Sequence, residues 1–248
     1  MMPSPKITPL LLVRLESCTY EFVLVGDMYV GRTLVPQEMW EEIMGYNPSN
    51  YVGARLPVDN VSYDEIQEFM RRLGESTSED CGWMLQYFLM SEKEWNEIAV
   101  DEMYVSYNSE VVTNVGLSSG FGETTVWWAD ISGNKPKPVD FGHPNDYGMY
   151  DMYGNLWEMC LNKSGDISDG VTAAPKREDY EDELSFRKAV LKYKLLNPHK
   201  VEIQEELVLK GGAWNMLRQS CVKQTRLEIT KDDRYGNAGF RLCVKYMD

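Results

Sequence analysis

Cysteine and histidine are the side chains of this 248-residue sequence that could support metal or redox chemistry. Zinc sites need such ligands at close, regular spacing, as in Cys-x-x-Cys pairs. Neither that pair nor a histidine at metal-ligand spacing occurs among the five cysteines and two histidines, which are Cys18, Cys81, Cys160, Cys221, Cys243, His143 and His199. The spacing therefore predicts that most of the cysteines are reduced thiols in the core.

A second candidate for function is the stretch 216–235 near the C-terminus. Apolar, cationic and anionic side chains alternate in it with neither a helical nor a strand period, which is typical of a long loop packed on other parts of a fold. Its flanks hold glycines that allow special backbone angles and apolar anchors, namely Gly211, Gly212, Trp214, Phe240 and Leu242. We expect a rigid frame that displays a surface, and we expect function to lie there.

Charge limits the kind of partner. Asp and Glu outnumber Lys and Arg by 39 to 25, so the net charge is −14. This charge repels a phosphate backbone within a Debye length of about 8 Å, and we predict no nucleic-acid partner. Solubility is the simplest interpretation of the acidity, and a bound cation or a basic partner is the alternative.

Turn and strand signals predict part of the frame. Stretches rich in Thr, Tyr, Phe and Val at 17–25 and 27–34, separated by Gly26, predict a β-hairpin. Short strands and turns are predicted over 103–142, including a strand at 126–129 and a turn at 132–136.

Three helices are predicted as well. They span 36–44, 63–73 and 91 to about 100, and Gly45 ends the first. Ser62 with Glu65, and Ser91 with Glu94, have the spacing of a capping box at the start of the second and third helices.

Residues 163–206 differ from the rest because a run of charged residues precedes leucines at helical spacing. We interpret them as a charged, partly helical insertion within a single domain, 1–248. A solvated helix and an arm that binds a partner both fit this composition.

The sequence also bears on location. The apolar run at 10–13 is far shorter than a signal-peptide core, and no stretch approaches the roughly 20 apolar residues of a membrane span. We expect synthesis in the cytoplasm without membrane insertion, which is compatible with display on a cell surface or a virus particle.

Three ordered motifs support a family resemblance. They are Asn145-Asp-Tyr-Gly-Met-Tyr-Asp-Met-Tyr-Gly-Asn-Leu-Trp-Glu158, Leu209-Lys-Gly-Gly-Ala-Trp214 and Gly239-Phe-Arg-Leu242. They resemble the signatures of the formylglycine-generating enzyme (sulfatase-modifying factor) family, and stretches 35–40 and 57–63 resemble its first and second helices. The resemblance implies an α+β, C-type-lectin-like fold with much irregular chain.

Individual residues distinguish between the different functions that occur in this family. Converting enzymes of the family use two cysteines, five residues apart, after the Gly-Gly pair, because thiolates select Cu(I). Cys221 matches the second, while Met216 occupies the first and cannot form a thiolate. A sulfoxide-synthase relative needs three iron-binding histidines, which the two histidines cannot supply. We therefore expect no enzymatic activity, with a metal-dependent oxidase acting through Cys221 as the alternative.

The C-terminal pattern is closest to that of variable proteins diversified by retroelements, which use this fold to carry an exchangeable binding surface. Their fixed positions match Gly211, Gly212, Ala213, Trp214, Cys221, Arg226, Gly239, Phe240 and Arg241. Their diversified positions match Met216, Leu217, Ser220, Thr225, Leu227, Glu228, Ile229, Asp233, Tyr235 and Gly236. With Arg218 and Arg234 added, and Gly236 left out, these are the predicted ligand-binding residues.

The resemblance therefore implies a non-enzymatic binding protein. Exposed Tyr, Arg and Met concentrate binding energy at protein interfaces, so we expect a macromolecular ligand, a protein or glycan surface. The alternative is that these side chains only pack on Trp127, Trp128 and Trp157.

Asn155 and Glu158 are the candidates for a metal. An amide oxygen and a carboxylate could bind one Ca²⁺ together with backbone carbonyls, as the motif does in some relatives. The alternative is a turn at Asn155 and a hydrogen-bonded Glu158 inside the fold. We expect Arg241 to be a buried ion-pair partner, for Glu158 or Asp151.

Overall fold

The computed structural model describes residues 9–81, 85–99, 128–142, 144–162 and 206–246. Contacts divide the chain into one unit of residues 1–162 with 206–248 and another of residues 163–205. The description below concerns the first unit, and the predicted insertion lies outside the described residues except for Glu206.

Strands and helices are numbered in chain order over the described residues. The strands are β1 (Leu10–Arg14), β2 (Thr19–Val25), β3 (Met28–Gly31), β4 (Leu85–Phe88), β5 (Trp157–Leu161), β6 (Leu207–Lys210), β7 (Arg226–Ile229), β8 (Ala238–Gly239) and β9 (Cys243–Tyr246). The helices are α1 (Gln37–Met44), α2 (Tyr63–Cys81), α3 (Glu92–Ile98) and α4 (Ala129–Ser132).

The first sheet has the order β1-β2-β3-β9-β4. The predicted hairpin is confirmed, because β2 and β3 pair antiparallel around Gly26, whose φ of +63° suits glycine. β9 pairs antiparallel with both β3 and β4. β9 thus lies inside the sheet, between β3 and β4.

All three helices predicted from the sequence are present. α1 ends where Gly45 takes a φ of +81°. The capping boxes form, since the Ser62 and Ser91 backbone N–H groups donate to Glu65 and Glu94 carboxylates at 2.9 and 2.7 Å. The prediction that the second helix ends at Leu73 is wrong, because α2 continues to Cys81.

The second sheet has the order β7-β6-β5-β8. β5 follows the turns that begin at Asn145, and it pairs in parallel with β8 through Trp157↔Ala238 and Glu158↔Gly239. The first and third of the three family motifs are therefore adjacent in space. β7 lies at the edge of this sheet within the described residues, antiparallel to β6.

Aromatic packing anchors the C-terminal frame in the core. Trp40 stacks on Phe69 at 5.1 Å between ring centroids, and Phe240 meets both rings edge-on. Phe240 and Leu242 are fully buried, as predicted. Trp214 is half-buried and packs against a small cluster of Leu34, Val139 and Leu156.

Two predictions about irregular regions need correction. A strand at 126–129 is wrong at its last residue, since Ala129 begins α4, while 126 and 127 lie outside the described residues. The stretch 216–235 is not loop throughout, because it contains a 3-10 turn at Arg218–Ser220 and the strand β7. Both elements are too short to produce a period in the sequence.

Candidate binding surface

Most of the predicted ligand-binding residues reach solvent. The C-terminal segment, as residues 216–235 are called from here, exposes Leu217, Arg218, Leu227, Glu228 and Arg234. It leaves Met216, Ser220, Thr225, Asp233 and Tyr235 half-buried. These ten side chains are accessible to a partner, and their role in binding stays a prediction.

Ile229 is the exception. It is 9% exposed, lies opposite Leu207 of β6 and belongs to the main core cluster. The prediction that Ile229 contacts a ligand is therefore wrong. Leu227, two residues away and on the same face of β7, is 43% exposed, so the core covers only one end of this strand.

The main chain holds the first half of the C-terminal segment in place. The Ala129 N–H donates to the Met216 carbonyl at 2.9 Å. The Lys210 ammonium, whose side chain is buried, donates to the Lys223 carbonyl at 2.6 Å. Neither bond depends on the side chain of the residue whose carbonyl accepts it.

The second half is held in the same way. Tyr63, at the start of α2, donates its backbone N–H to the Lys231 carbonyl at 3.1 Å. The Asn60 N–H donates to the Tyr235 carbonyl at 3.0 Å. Because four bonds to other parts of the chain all end on backbone carbonyls, the side chains of 216–235 can differ without losing them.

Arg234 is the side chain most engaged with the frame. Its guanidinium pairs with Glu65 and donates to the Asn60 carbonyl at 3.3 Å. Glu65 also accepts from the Tyr46 hydroxyl at 2.7 Å and caps α2. Arg234 therefore contributes to fixing the C-terminal segment, in addition to any contact with a partner.

Gly236, matched to a diversified position in the sequence, has little room for a side chain. A Cβ built there would lie 1.9 Å from the Asn50 amide nitrogen, so exchange of Gly236 requires the Asn50 side chain to move.

Arg218 stacks on an aromatic ring outside the C-terminal segment. Its guanidinium carbon lies 5.2 Å from the centroid of the Trp128 ring. Trp128 is half-buried against a core cluster, and the next residue, Ala129, holds the Met216 carbonyl. The packing alternative is therefore partly correct for Arg218, although the residue remains exposed; Trp127 lies outside the described residues.

Cys221 is a thiol of the core. It is fully buried, donates to the Ala213 carbonyl at 3.8 Å, and desolvation by burial raises its pKa to about 11. A Cβ on Gly212 would come within 2.7 Å of its sulfur, so the glycine is needed for close packing. Cys160 and Cys243 are also buried, and Cys18 is half-buried.

Arg241 and Glu158 form the buried ion pair expected for Arg241. The guanidinium donates to both carboxylate oxygens at 3.0 and 2.6 Å, and each side chain is 1% exposed. Arg241 also donates to the carbonyls of Gly31 and Tyr150 at 3.0 and 2.6 Å. This bidentate pair joins β5 to the C-terminal motif and to the end of β3.

The Asn155 side chain is fully engaged as well. Its oxygen accepts from the Lys137 N–H at 3.0 Å, and its amide donates to the Lys137 carbonyl and to Asp151 at 3.1 and 3.0 Å. Desolvation raises the pKa of Asp151 to about 7. Because both Glu158 oxygens accept from a guanidinium, Asn155 and Glu158 fit a structural hydrogen-bond network rather than a set of Ca²⁺ ligands. Calcium binding stays an untested prediction.

Among the described residues no group of three or more His, Cys, Asp or Glu side chains could hold a metal ion. Helices long and apolar enough to span a membrane are likewise not found in that part of the chain.

The sequence matches the family model described as the sulfatase-modifying factor enzyme 1-like domain over residues 17–246. The chain belongs to this family. The match includes the paired motifs around β5 and β8 and the frame of the C-terminal segment, which confirms the family resemblance seen in the sequence.

Solved structures show the same fold. Treponema denticola variable protein 1 has a TM-score of 0.63 and 18% identity, with 96% of this chain and 100% of that chain covered. PvdO from Pseudomonas aeruginosa has a TM-score of 0.57 and 18% identity, with 92% and 84% covered. The C-type-lectin-like, α+β fold is thus confirmed.

The match to a curated relative covers less of both chains. The chaperone protein LppX of Paenibacillus barcinonensis is 26% identical over 176 residues, which are 56% of this chain and 63% of that protein. The match therefore spans less than two thirds of that relative's length.

Sequence reasoning gave no role to Trp128 or Lys210 in the frame of the surface. The sequence indicates Trp128 only as one of several rings under the segment in the packing alternative, and Lys210 only as part of a family motif. The contacts of both depend on strand pairing across the fold, for which no local pattern gives a signal.

Proposed function

We propose that this protein is a non-enzymatic binding protein that presents the C-terminal segment, 216–235, to a macromolecular ligand. The observation that carries the proposal is the attachment of this segment by backbone carbonyls, which leaves Leu217, Leu227 and Glu228 exposed. Such an arrangement allows the surface to change while the frame stays rigid, so that less ordering entropy is lost on binding.

The comparisons support this proposal without deciding it. A protein named as variable shares the fold over its whole length. The relative named as a chaperone supports contact with other proteins, since holding proteins is what a chaperone does. Retroelement diversification of residues 216–235, and display on a cell surface or virus particle, belong to the proposal in the same way.

Oxidase chemistry through Cys221 is the competing function. It would need an accessible thiolate, whereas Cys221 is buried and burial raises its pKa. Met216 stands where converting enzymes have their other cysteine. Oxygen uptake with Cu(I) and a cysteine-containing peptide, lost in Cys221→Ser, would contradict the binding proposal.

Exchange of the surface tests the proposal directly. A display library randomised at Leu217, Arg218, Leu227 and Glu228 should give mostly folded clones, and selection against hen lysozyme should yield binders. A control library randomised at exposed residues of α2, such as Asp64, Arg71 and Glu75, should fold equally well but yield none. Loss of folding throughout the first library would mean that its four positions support the core, and the proposal would fail.

A further inference from the structure

The C-terminal segment is a patch that contains more cationic than anionic side chains, on a protein that is acidic as a whole. Its 20 residues from Met216 to Tyr235 include five Lys or Arg and three Asp or Glu, whereas the whole chain has a net charge of −14. Charges beyond a Debye length of about 8 Å are screened at physiological salt, so a docked partner senses mainly this patch together with Glu65 and Glu92, which pair with two of its arginines. Elsewhere the surface repels an acidic partner, which favours approach to the C-terminal segment.

The arginines of the patch differ in how they are used. Arg226 pairs with Glu92 at 3.3 Å and with Glu228 at 3.1 Å, and Arg234 pairs with Glu65. Arg218 pairs with no carboxylate within the described part of the chain. Its described contact is the stacking on Trp128, 5.2 Å from guanidinium carbon to ring centroid.

Stacking and ion pairing leave a guanidinium in different states. A carboxylate neutralises the charge and occupies N–H donors, whereas an aromatic face orients the planar group without using its donors. Trp128 is held by core packing and Ala129 is tied to the Met216 carbonyl, so the platform is fixed to the C-terminal segment. Within the described part of the chain Arg218 is thus positioned with no carboxylate on its donors.

An apolar contact lies beside this cation. Leu217 is 55% exposed and immediately precedes Arg218. Arg is enriched at protein interfaces, and an apolar side chain beside it would add stabilisation by losing water on docking.

We propose that Arg218, stacked on Trp128, binds a carboxylate of an acidic peptide segment in a protein partner, with Leu217 packing against an apolar neighbour of that carboxylate. This inference rests on the proposed binding function and names the chemistry of its partner. A nucleic acid is disfavoured because its phosphates continue beyond the patch, over a protein whose remaining residues are strongly acidic.

A phage library of random 12-residue peptides, panned against the intact chain, tests the proposal. The expected result is enrichment of peptides in which Asp or Glu stands next to a large apolar residue. A synthetic copy of an enriched peptide should bind at least ten-fold more weakly to Arg218→Ala, and it should bind more weakly at 0.5 M than at 0.05 M NaCl.

Two further variants separate the platform from simple charge attraction. Trp128→Leu keeps every charge but removes the stacking face, and we expect it to weaken binding several-fold with the circular dichroism spectrum unchanged. Lys231→Ala removes an exposed cation of the same segment without touching Trp128, and it should change binding less than two-fold.

The outcomes distinguish the two proposals. Selected peptides without acidic residues, or acidic peptides that bind Arg218→Ala as well as wild type, would overturn the carboxylate proposal and leave the binding function standing. If the library yields no binder to the wild-type chain, the carboxylate proposal is overturned; if the randomised surface also yields no lysozyme binder, the binding function fails too.

Discussion

Arg241 and Glu158 form an ion pair in which both side chains are buried. Glu158→Ala should lower the free energy of unfolding by about 3–5 kcal/mol, because it leaves a buried guanidinium without its counter-charge. Asp27→Ala, which breaks the solvent-exposed pair with Lys245, should change it by less than about 1 kcal/mol. Urea unfolding of both variants measures the contrast, and equal effects would contradict the structural role of the buried pair.

The raised pKa of Asp151 makes the free energy of unfolding depend on pH. Its pKa of about 7 in the folded protein lies above the value of about 4 for an unfolded chain. The folded state thus holds the proton more tightly, and this group's contribution to stability is present below pH 4 and is lost as pH rises to about 7.

The variant Asp151→Asn isolates this contribution. Asn tolerates the left-handed φ of +56° at this position and can still accept from Asn155. Relative to wild type it should gain stability between pH 4 and 8, by an amount on the order of a few kcal/mol at the upper end. Parallel stability curves for the two proteins across this range would show that Asp151 does not carry the shifted pKa.

The sequence predicts the environment of some of these residues and not of others. The ion pair of Arg241 was predictable, since a cation fixed beside buried Phe240 must find an acid. The stacking of Arg218 on Trp128 was not, because the two residues meet only after α4 and the C-terminal segment dock. Ile229 was misjudged because a four-residue strand shows no alternation.

At the scale of elements, β7 offers a matched pair of positions. Ile229→Ala should destabilise the protein by about 2–4 kcal/mol, because it opens a cavity against Leu207. Leu227→Ala, on the same face of the same strand, should cost less than about 1 kcal/mol since its side chain is 43% exposed. Chemical denaturation checks both, and a reversed order would place the core on the other end of the strand.

Gly211 illustrates how the frame begins. Its φ is +88°, and a Cβ would lie 2.6 Å from the Met152 carbonyl oxygen. Gly45, which ends α1 at φ +81°, has open space around it. Both Ala variants incur strain of about 1–2 kcal/mol from the left-handed backbone, but Gly211→Ala should lose roughly 1–3 kcal/mol more through the clash. Thermal melts of the two variants test this difference, which would be absent if the Met152 backbone could yield.

The elements were predictable where local chemistry defines them. Capping boxes at Ser62 and Ser91 and the stop at Gly45 located helix ends. The extension of α2 beyond Leu73 was not visible because residues 74–81 lack an apolar stripe. Within that extension the Thr77 hydroxyl lies 3.2 Å from the Tyr87 hydroxyl of β4. This tertiary contact helps to stabilise the end of α2, which the local sequence pattern does not indicate.

At the scale of the whole molecule, the two residues that flank 163–205 are hydrogen-bonded to each other. The Asn162 N–H donates to the Glu206 carbonyl at 2.7 Å, and β5 pairs with β6 up to Leu161↔Leu207. Replacing 163–205 by a turn such as Asn-Gly would join two antiparallel strands as a hairpin. We expect the shortened protein to melt within a few degrees of wild type and to keep the binding of any selected peptide.

Circular dichroism and a melting curve of this deletion variant test the predicted insertion. A variant that fails to fold would show that residues 163–205 belong to the domain core, and the interpretation of this stretch as an insertion would be wrong.

The attachment of residues 216–235 through carbonyl oxygens also bears on how the protein can evolve. A mutation that changes an outward side chain there alters recognition while most of the folding free energy is untouched. Substitutions at these codons are therefore hardly selected against for their effect on folding. New specificities can arise without the compensating changes that substitutions in a packed core would require.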